Sequence, residues 1–289
     1  MPIQWETVPR AGAGELIDAL KRWAPPHCYV AGLHAGDIGW ELRLADEQGD
    51  SALLAVRDGD ELVAVALADS PVVLRPLLRP DLLHDLQVAA SLLEYVGAMP
   101  RDSAAYTDAA SGSAFRSLLS ASGWQLDPDP WVALYRPLTE TDGEHVDAWS
   151  STLESPHDVA DRVAVQRSAF KGSTFTVDRW HQMAAGPGFD PAFELLRRDM
   201  DGRPVAAATG WSAGAGKCAI LEPVGTHREH TGAGHGKAVS LAVIATLARG
   251  GASGVTVHTP ASNAAAVRTY ESCGLRQVEL THAMTRPAT

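Results

Sequence analysis

Cysteine, positive charge and long apolar runs are all scarce in this chain, and each scarcity removes a class of function. The 289 residues hold three cysteines, Cys28, Cys218 and Cys273. An odd number, set far apart, offers no disulfide framework and no C-x-x-C metal pair, so a reducing cytoplasm is the expected compartment. No apolar run approaches the ~18–20 residues that span a bilayer, and the opening MPIQWETVPRAG has neither a basic nor an apolar signal region. Lys and Arg number 24 against 35 Asp and Glu, a formal net charge of −11. That balance opposes binding to nucleic-acid phosphates, which takes clustered Lys and Arg. It suits a cationic, amine-bearing small substrate, although an acidic surface also simply keeps a protein soluble. The expected partner is a small molecule, with no nucleic acid and no membrane; homodimerisation stays open.

The length is about twice that of a common domain, and a hydrophobic content of 45% supports real cores. The polar stretch PLTETDGEHVD (137–147) divides two halves. The expected organisation is a first domain over 1–138, a linker over 139–150 and a second domain over 151–289. In the second, VADRVAVQRSAF (159–170) and TVDRWHQMAA (176–185) read as helices. AFELLRRDM (192–200) and PVAAATGWSA (204–213) read as a hairpin, and CAILEPVGTH (218–227) as a further strand. KAVSLAVIATLARG (237–250) has apolar residues at helical spacing and a glycine stop. GVTVHT (254–259) reads as a strand, NAAAVRTYESCG (263–274) as a helix with Asn at its start and Gly at its end, and RQVELTHAMTR (276–286) as a closing strand.

The first half repeats that order more faintly: helix 14–24, a hairpin over 52–68 around Asp58-Gly59, strand 71–77, helix 81–96, strand 104–110, helix 113–123 and strand 130–138. SAFRSLLSASGW and NAAAVRTYESCGL share a small-residue start and a helix-Gly-apolar ending, which reads as internal duplication. Two unrelated α+β domains are the alternative.

Chemistry concentrates in HTGAGHGKAVSLAVIATL (230–247), a glycine-rich loop feeding a helix. Unpaired N–H groups and the helix dipole make such a helix mouth an anion site, and glycine lets the backbone approach closely. The P-loop pattern fails, because Thr231 stands where a glycine is needed and Ala238 where Ser or Thr is needed. The dinucleotide fingerprint started at Gly232 fails at Lys237. VGTHREHTGAGHGKAVSLA resembles the acetyl-CoA motif of the GNAT acyltransferase superfamily, Q/R-x-x-G-x-G/A, with Thr231 in place of the Gln or Arg. NAAAVRTYESCGL is similar to that family's N-x-x-A-x-x-x-Y-x-x-x-G-F, with Asn263, Ala266, Tyr270 and Gly274 in register and Leu275 replacing the Phe. The resemblance is strong over about 150–289 and topological over 1–138; the tandem arrangement is further similar to mycothiol-synthase-like members.

The resemblance implies an α+β fold of two tandem GNAT-like domains, each a mixed, mostly antiparallel sheet flanked by helices. It implies acetyl-CoA as co-substrate, no metal, and transfer of an acetyl or other short acyl group to a primary amine of a small molecule. Gly232, Ala233, Gly234, His235, Gly236 and Lys237 would hold the diphosphate; Val224, Gly225 and Thr226 would meet the pantetheine arm, and Asn263 would stand near it. Tyr270 would give a proton to the departing thiolate, while a core tyrosine is the plain alternative. His258 and Glu222 compete as the base. His227, His230 and His235 surround the loop without metal-ligand spacing.

In the first half, LLRPDLLHDL has no such loop, and Gly112 and Leu119 stand where Asn and Tyr would be, so this half is expected not to use acetyl-CoA. A CoA-binding regulatory module with little catalysis, and a protein N-acetyltransferase, remain alternatives.

Overall fold

The computed structural model describes residues 2–26, 32–44 and 51–288; Cys28 lies outside them. The first half runs β1 (Ile3–Val8), α1 (Ala13–Trp23), α2 (Ala35–Glu41), β2 (Ala52–Asp58), β3 (Glu61–Ser70) and β4 (Val73–Leu78). It continues with α3 (Leu86–Gly97), β5 (Ala105–Thr107), α4 (Ala114–Ala121), β6 (Gln125–Leu126) and β7 (Trp131–Pro137). The second half runs β8 (Ser150–Ser151), α5 (Pro156–Ala169), α6 (Val177–Ala184), β9 (Glu194–Arg198), β10 (Pro204–Trp211) and β11 (Cys218–Thr226). It ends with α7 (His235–Arg249), β12 (Gly254–Pro260), α8 (Ala264–Ser272), β13 (Arg276–Thr281) and β14 (Met284–Arg286).

Local chemistry accounts for the helix ends. Ser155 and Asp158 form a capping box at the start of α5, with Pro156 at its first position, so this helix begins earlier than the expected 159. Asp85 caps α3, which therefore starts at 86 rather than 81. Gly123 and Gly274, both left-handed, close α4 and α8. β1 and α2 carry no sequence signature that foretold them.

Among the described residues the strands form two seven-stranded sheets, ordered β1-β2-β3-β4-β5-β14-β6 and β8-β9-β10-β11-β12-β7-β13. The order is the same in both, which is what duplication predicts, but each sheet borrows one strand from the other half. β7 pairs antiparallel with β12 and β13, and β14 pairs with β5 and β6. The expected division at 138 therefore follows the chain and not the sheets: 131–137 belongs to the second sheet. The single closing strand expected over 276–286 is two strands, broken at His282–Ala283, that enter different sheets.

The stretch expected as a linker is packed. Arg136 pairs with Asp142, and the Gly143 carbonyl accepts from Arg249 Nη1 at 2.7 Å on α7.

Each sheet has its own core. α7 lays Val239, Val243, Ile244 and Leu247 on the second sheet, each worth about 1.5–3 kcal/mol of burial. α3 and α4 cover one face of the first sheet, while α1 and α2 cover the other. Between the halves, Trp211 lies against α2. A Cβ at Gly39 would stand 2.5 Å from its ring, and one at Gly36 would overlap it. The two glycines, one helical turn apart, are the notch that lets the halves close.

Candidate active site

β11 and β12 run parallel and pair only through Cys218↔Gly254, Ala219↔Val255 and Ile220↔Thr256. Beyond Ile220 they separate. β11 keeps its antiparallel partner β10 to Thr226, while β12 stays with β7 to Pro260. The backbone of residues 221–226 thus has one edge without a strand partner, in a gap between neighbouring strands. A bulge accompanies the divergence: two residues, Glu222 and Pro223, lie opposite Thr209 alone, which redirects the side chains there. Thr209 is fixed by a buried network in which Arg162 Nε bonds Glu194 at 2.9 Å, and Trp180 Nε1 bonds the same carboxylate at 2.8 Å.

The gap leads to the glycine loop. Gly232 and Gly234 adopt φ of 80° and 83°, and no heavy atom would meet a Cβ at either; here glycine answers a backbone requirement. Gly234 caps α7 with no side-chain hydrogen bond, so the helix's first amides, at His235, Gly236 and Lys237, carry no capping partner. Gly236 sits tightly, its Cβ position 2.9 Å from Thr226 Oγ1. Ala233 and Lys237 are exposed. His235 Nδ1 accepts from Arg197 Nε at 3.3 Å, and burial beside that guanidinium lowers its pKa. Thr231, the departure from the motif, turns its hydroxyl back to the Arg228 carbonyl at 3.1 Å.

The matching helix of the first half is closed. The Asp85 carboxylate accepts from the Gln87 and Val88 amides at 2.8 and 2.9 Å, filling the position an anion would take. Trp124 N bonds Leu119 O as Leu275 N bonds Tyr270 O, so Leu119 stands in the place of Tyr270, without a hydroxyl.

Of the remaining expected residues, Asn263 caps α8, its carboxamide oxygen accepting from Ala266 N at 3.2 Å, and is exposed. Val224 packs partly buried on the second core. Gly225 is small because α5 ends on it: a Cβ would lie 2.9 Å from that of Ala169. Tyr270 is a core residue, and burial, with the Glu222 charge nearby, drives its pKa far above the ordinary tyrosine value. Asn263 and Tyr270 thus differ in setting, one at the solvent end of the helix and one inside.

Glu222 and His258 line one cavity of about 610 Å³, together with Asp37, Asp69, Arg75 and Asp108 of the first half. A second cavity of about 370 Å³ under the α5–α6 loop also ends on Glu222. The Glu222 side chain is solvent-exposed and opens onto both of these cavities. Desolvation by the surrounding walls, then the charges of Asp37 and Asp69, raise its pKa to about 7 against the opposing Arg75 and Arg43. Arg75 bonds Asp69 at 2.7 Å and Asp37 at 2.8 Å. Burial opposes ionisation of Asp37, yet Arg75 and the His34 amide hold its pKa below the usual range. Asp108 is lifted to about 6, mainly by burial. Sequence reasoning missed every first-half member of this chamber, because nothing local marks AGDIGW or YTDAA as facing a strand more than a hundred residues away.

Among the described residues, no group of three or more His, Cys, Asp or Glu is placed to hold a metal, Cys218 and Cys273 form no disulfide with one another, and no helix is long and apolar enough to cross a membrane.

The acetyltransferase (GNAT) family model matches residues 167–275. No curated protein matches the chain in sequence. Among solved structures, a GCN5-related N-acetyltransferase from Sphaerobacter thermophilus aligns at TM-score 0.57 and 20% identity, covering 99% of this chain and 96% of that one. A tandem GNAT protein of the clavulanic acid pathway aligns at 0.59 and 14%, covering 99% of both. A GNAT acetyltransferase from Colwellia psychrerythraea aligns at 0.58 and 12%, covering 98% of both. Residues 167–275 thus match the GNAT acetyltransferase family, and the whole chain shares the fold of tandem GNAT proteins.

Proposed function

We propose that the chain is an acyl-CoA-dependent N-acyltransferase whose second half binds the acyl donor and whose chamber receives a small primary amine. One observation carries the reading: the uncapped start of α7 stands at the mouth of the β11/β12 gap, whereas its counterpart α3 is closed by Asp85. Bound acyl-CoA supplies an activated thioester. The amides of His235, Gly236 and Lys237 would hold its diphosphate, and the strand edge at 221–226 offers backbone groups to the pantetheine amides. The first half, with its amides filled, is read as degenerate toward acetyl-CoA.

Glu222 is the base this geometry favours. It lies where both cavities end, and a carboxylate of pKa about 7 takes the ammonium proton at neutral pH and releases it again. His258, on the same chamber wall, is the competing base. Tyr270 stays protonated at any working pH and so holds its hydroxyl proton for a departing thiolate. A chamber walled by both halves favours a small acceptor over a protein terminus.

The test is a pH–rate profile of kcat/KM. With Glu222 as base, the wild type gains activity as pH rises through about 7, because the carboxylate works only when ionised. Glu222→Gln is expected to lose about 10²–10³-fold and that limb of the profile, with coenzyme A affinity kept. If His258→Ala removes the limb and Glu222→Gln keeps it, the base is His258.

A further inference from the structure

The first sheet has a gap of its own. β4 and β5 pair only at Val73↔Tyr106 and Leu74↔Thr107 before they separate, repeating β11 and β12. With α3 capped by Asp85, this gap leads to no open helix start. It opens instead into the 610 Å³ chamber, which Glu222 also lines.

The chamber wall is strongly acidic. Asp37, Asp69, Asp108, Asp127, Glu222 and Glu279 face it, against the guanidinium groups of Arg75 and Arg116. Arg75 is spent on Asp37 and Asp69, and Arg116 donates to the Ala109 carbonyl at 2.9 Å. Asp108 is different. It is half-buried on the chamber wall, and its carboxylate receives no hydrogen bond from any described residue, nor does that of Glu222. A carboxylate partly stripped of water and without a partner gains from a cation placed against it. Two such groups line the same chamber, one from each half. The wall also includes Leu77, Tyr106 and Ile220, which would accept an apolar stem.

On the reading given under Proposed function, we propose that the acceptor is an oligoamine: one amino group lies at Glu222 to be acylated, while a second, unreacting ammonium is held by Asp108 on the first-half wall. The degenerate half is then the specificity half, its vestigial gap turned into the subsite for the distal charge. Burial and the neighbouring carboxylates already hold the Asp108 proton affinity up, the sign expected of a group waiting for a counter-charge.

Calorimetric titration of the full chain, without acyl-CoA, with linear α,ω-diamines and with monoamines of equal carbon number is the test. Diamines are expected to bind about tenfold or more tightly than their monoamine counterparts, and Asp108→Asn, a neutral isostere, is expected to bring that ratio near one. Equal affinities in the wild type, or a preference that survives in Asp108→Asn, overturn the inference; the wild-type comparison decides the matter even if the variant folds poorly. A parallel titration with acetyl-CoA separates the two readings. Acetyl-CoA binding without diamine preference sinks the oligoamine subsite alone, whereas diamine preference without acetyl-CoA binding supports the subsite and sinks the transferase.

Discussion

His34 combines two bonds that only a neutral imidazole can make together. Its Nδ1 accepts the Gly36 amide at 2.9 Å, starting α2, and its Nε2 donates to the Cys218 carbonyl at 3.2 Å at the head of β11. The ring is 1% exposed, and burial lowers its pKa to about 4. Between pH 4 and 6.5 the unfolded chain takes up a proton that the folded ring refuses. The contribution of His34 is therefore fully present above 6.5 and lost as pH falls toward 4; the gap is worth about 3 kcal/mol. His34→Ala is expected to cost about 2–3 kcal/mol at pH 7.5, with the deficit shrinking toward pH 4.5 in paired denaturant melts. A deficit independent of pH would remove the imidazole from that role. Asn263 and Gly234 were legible in the sequence, because a cap and a left-handed glycine are decided by residues a few positions away. His34 was not, because its second partner is 184 positions distant.

Two helix starts distinguish the halves at the level of elements. α3 and α7 occupy the same place in their sheets, but one presents a carboxylate to its own amides and the other presents none. The glycine loop was readable for this reason: its function lies in the backbone, and the residues that leave the backbone open are contiguous. The tightness of the loop was not readable, since it depends on Thr226 meeting Gly236 across the gap. Gly236→Ala would drive a methyl to within 2.9 Å of Thr226 Oγ1. The expected outcome is about tenfold weaker coenzyme A binding with the melting temperature little changed, and recovery in Gly236→Ala/Thr226→Ala. No recovery in the double variant would mean that the loop fails for another reason.

For the whole molecule, the consequence of the fold is that neither half is complete. β14 fills a slot in the first sheet, and Arg286 ties it down, donating to the Met99 and Pro100 carbonyls at 3.1 and 2.7 Å after α3. β7 does the same service for the second sheet. The duplicated order of elements could be read from the sequence, but the exchange could not. A strand's hydrophobic pattern says which face is buried and is silent on which sheet supplies its neighbours. Calorimetric unfolding is expected to show one cooperative transition, and deletion of residues 283–289 is expected to destabilise both halves together. Two separable transitions would show the exchange to be energetically trivial. The central claim, that one half alone offers free helix amides to a diphosphate, is tested most directly by titrating coenzyme A into the wild type and into Gly234→Asp, which places a carboxylate at the α7 start as Asp85 does at α3. The account predicts one site per chain, lost by about 10²-fold or more in the variant. Two sites per chain, or binding that survives the substitution, would contradict it.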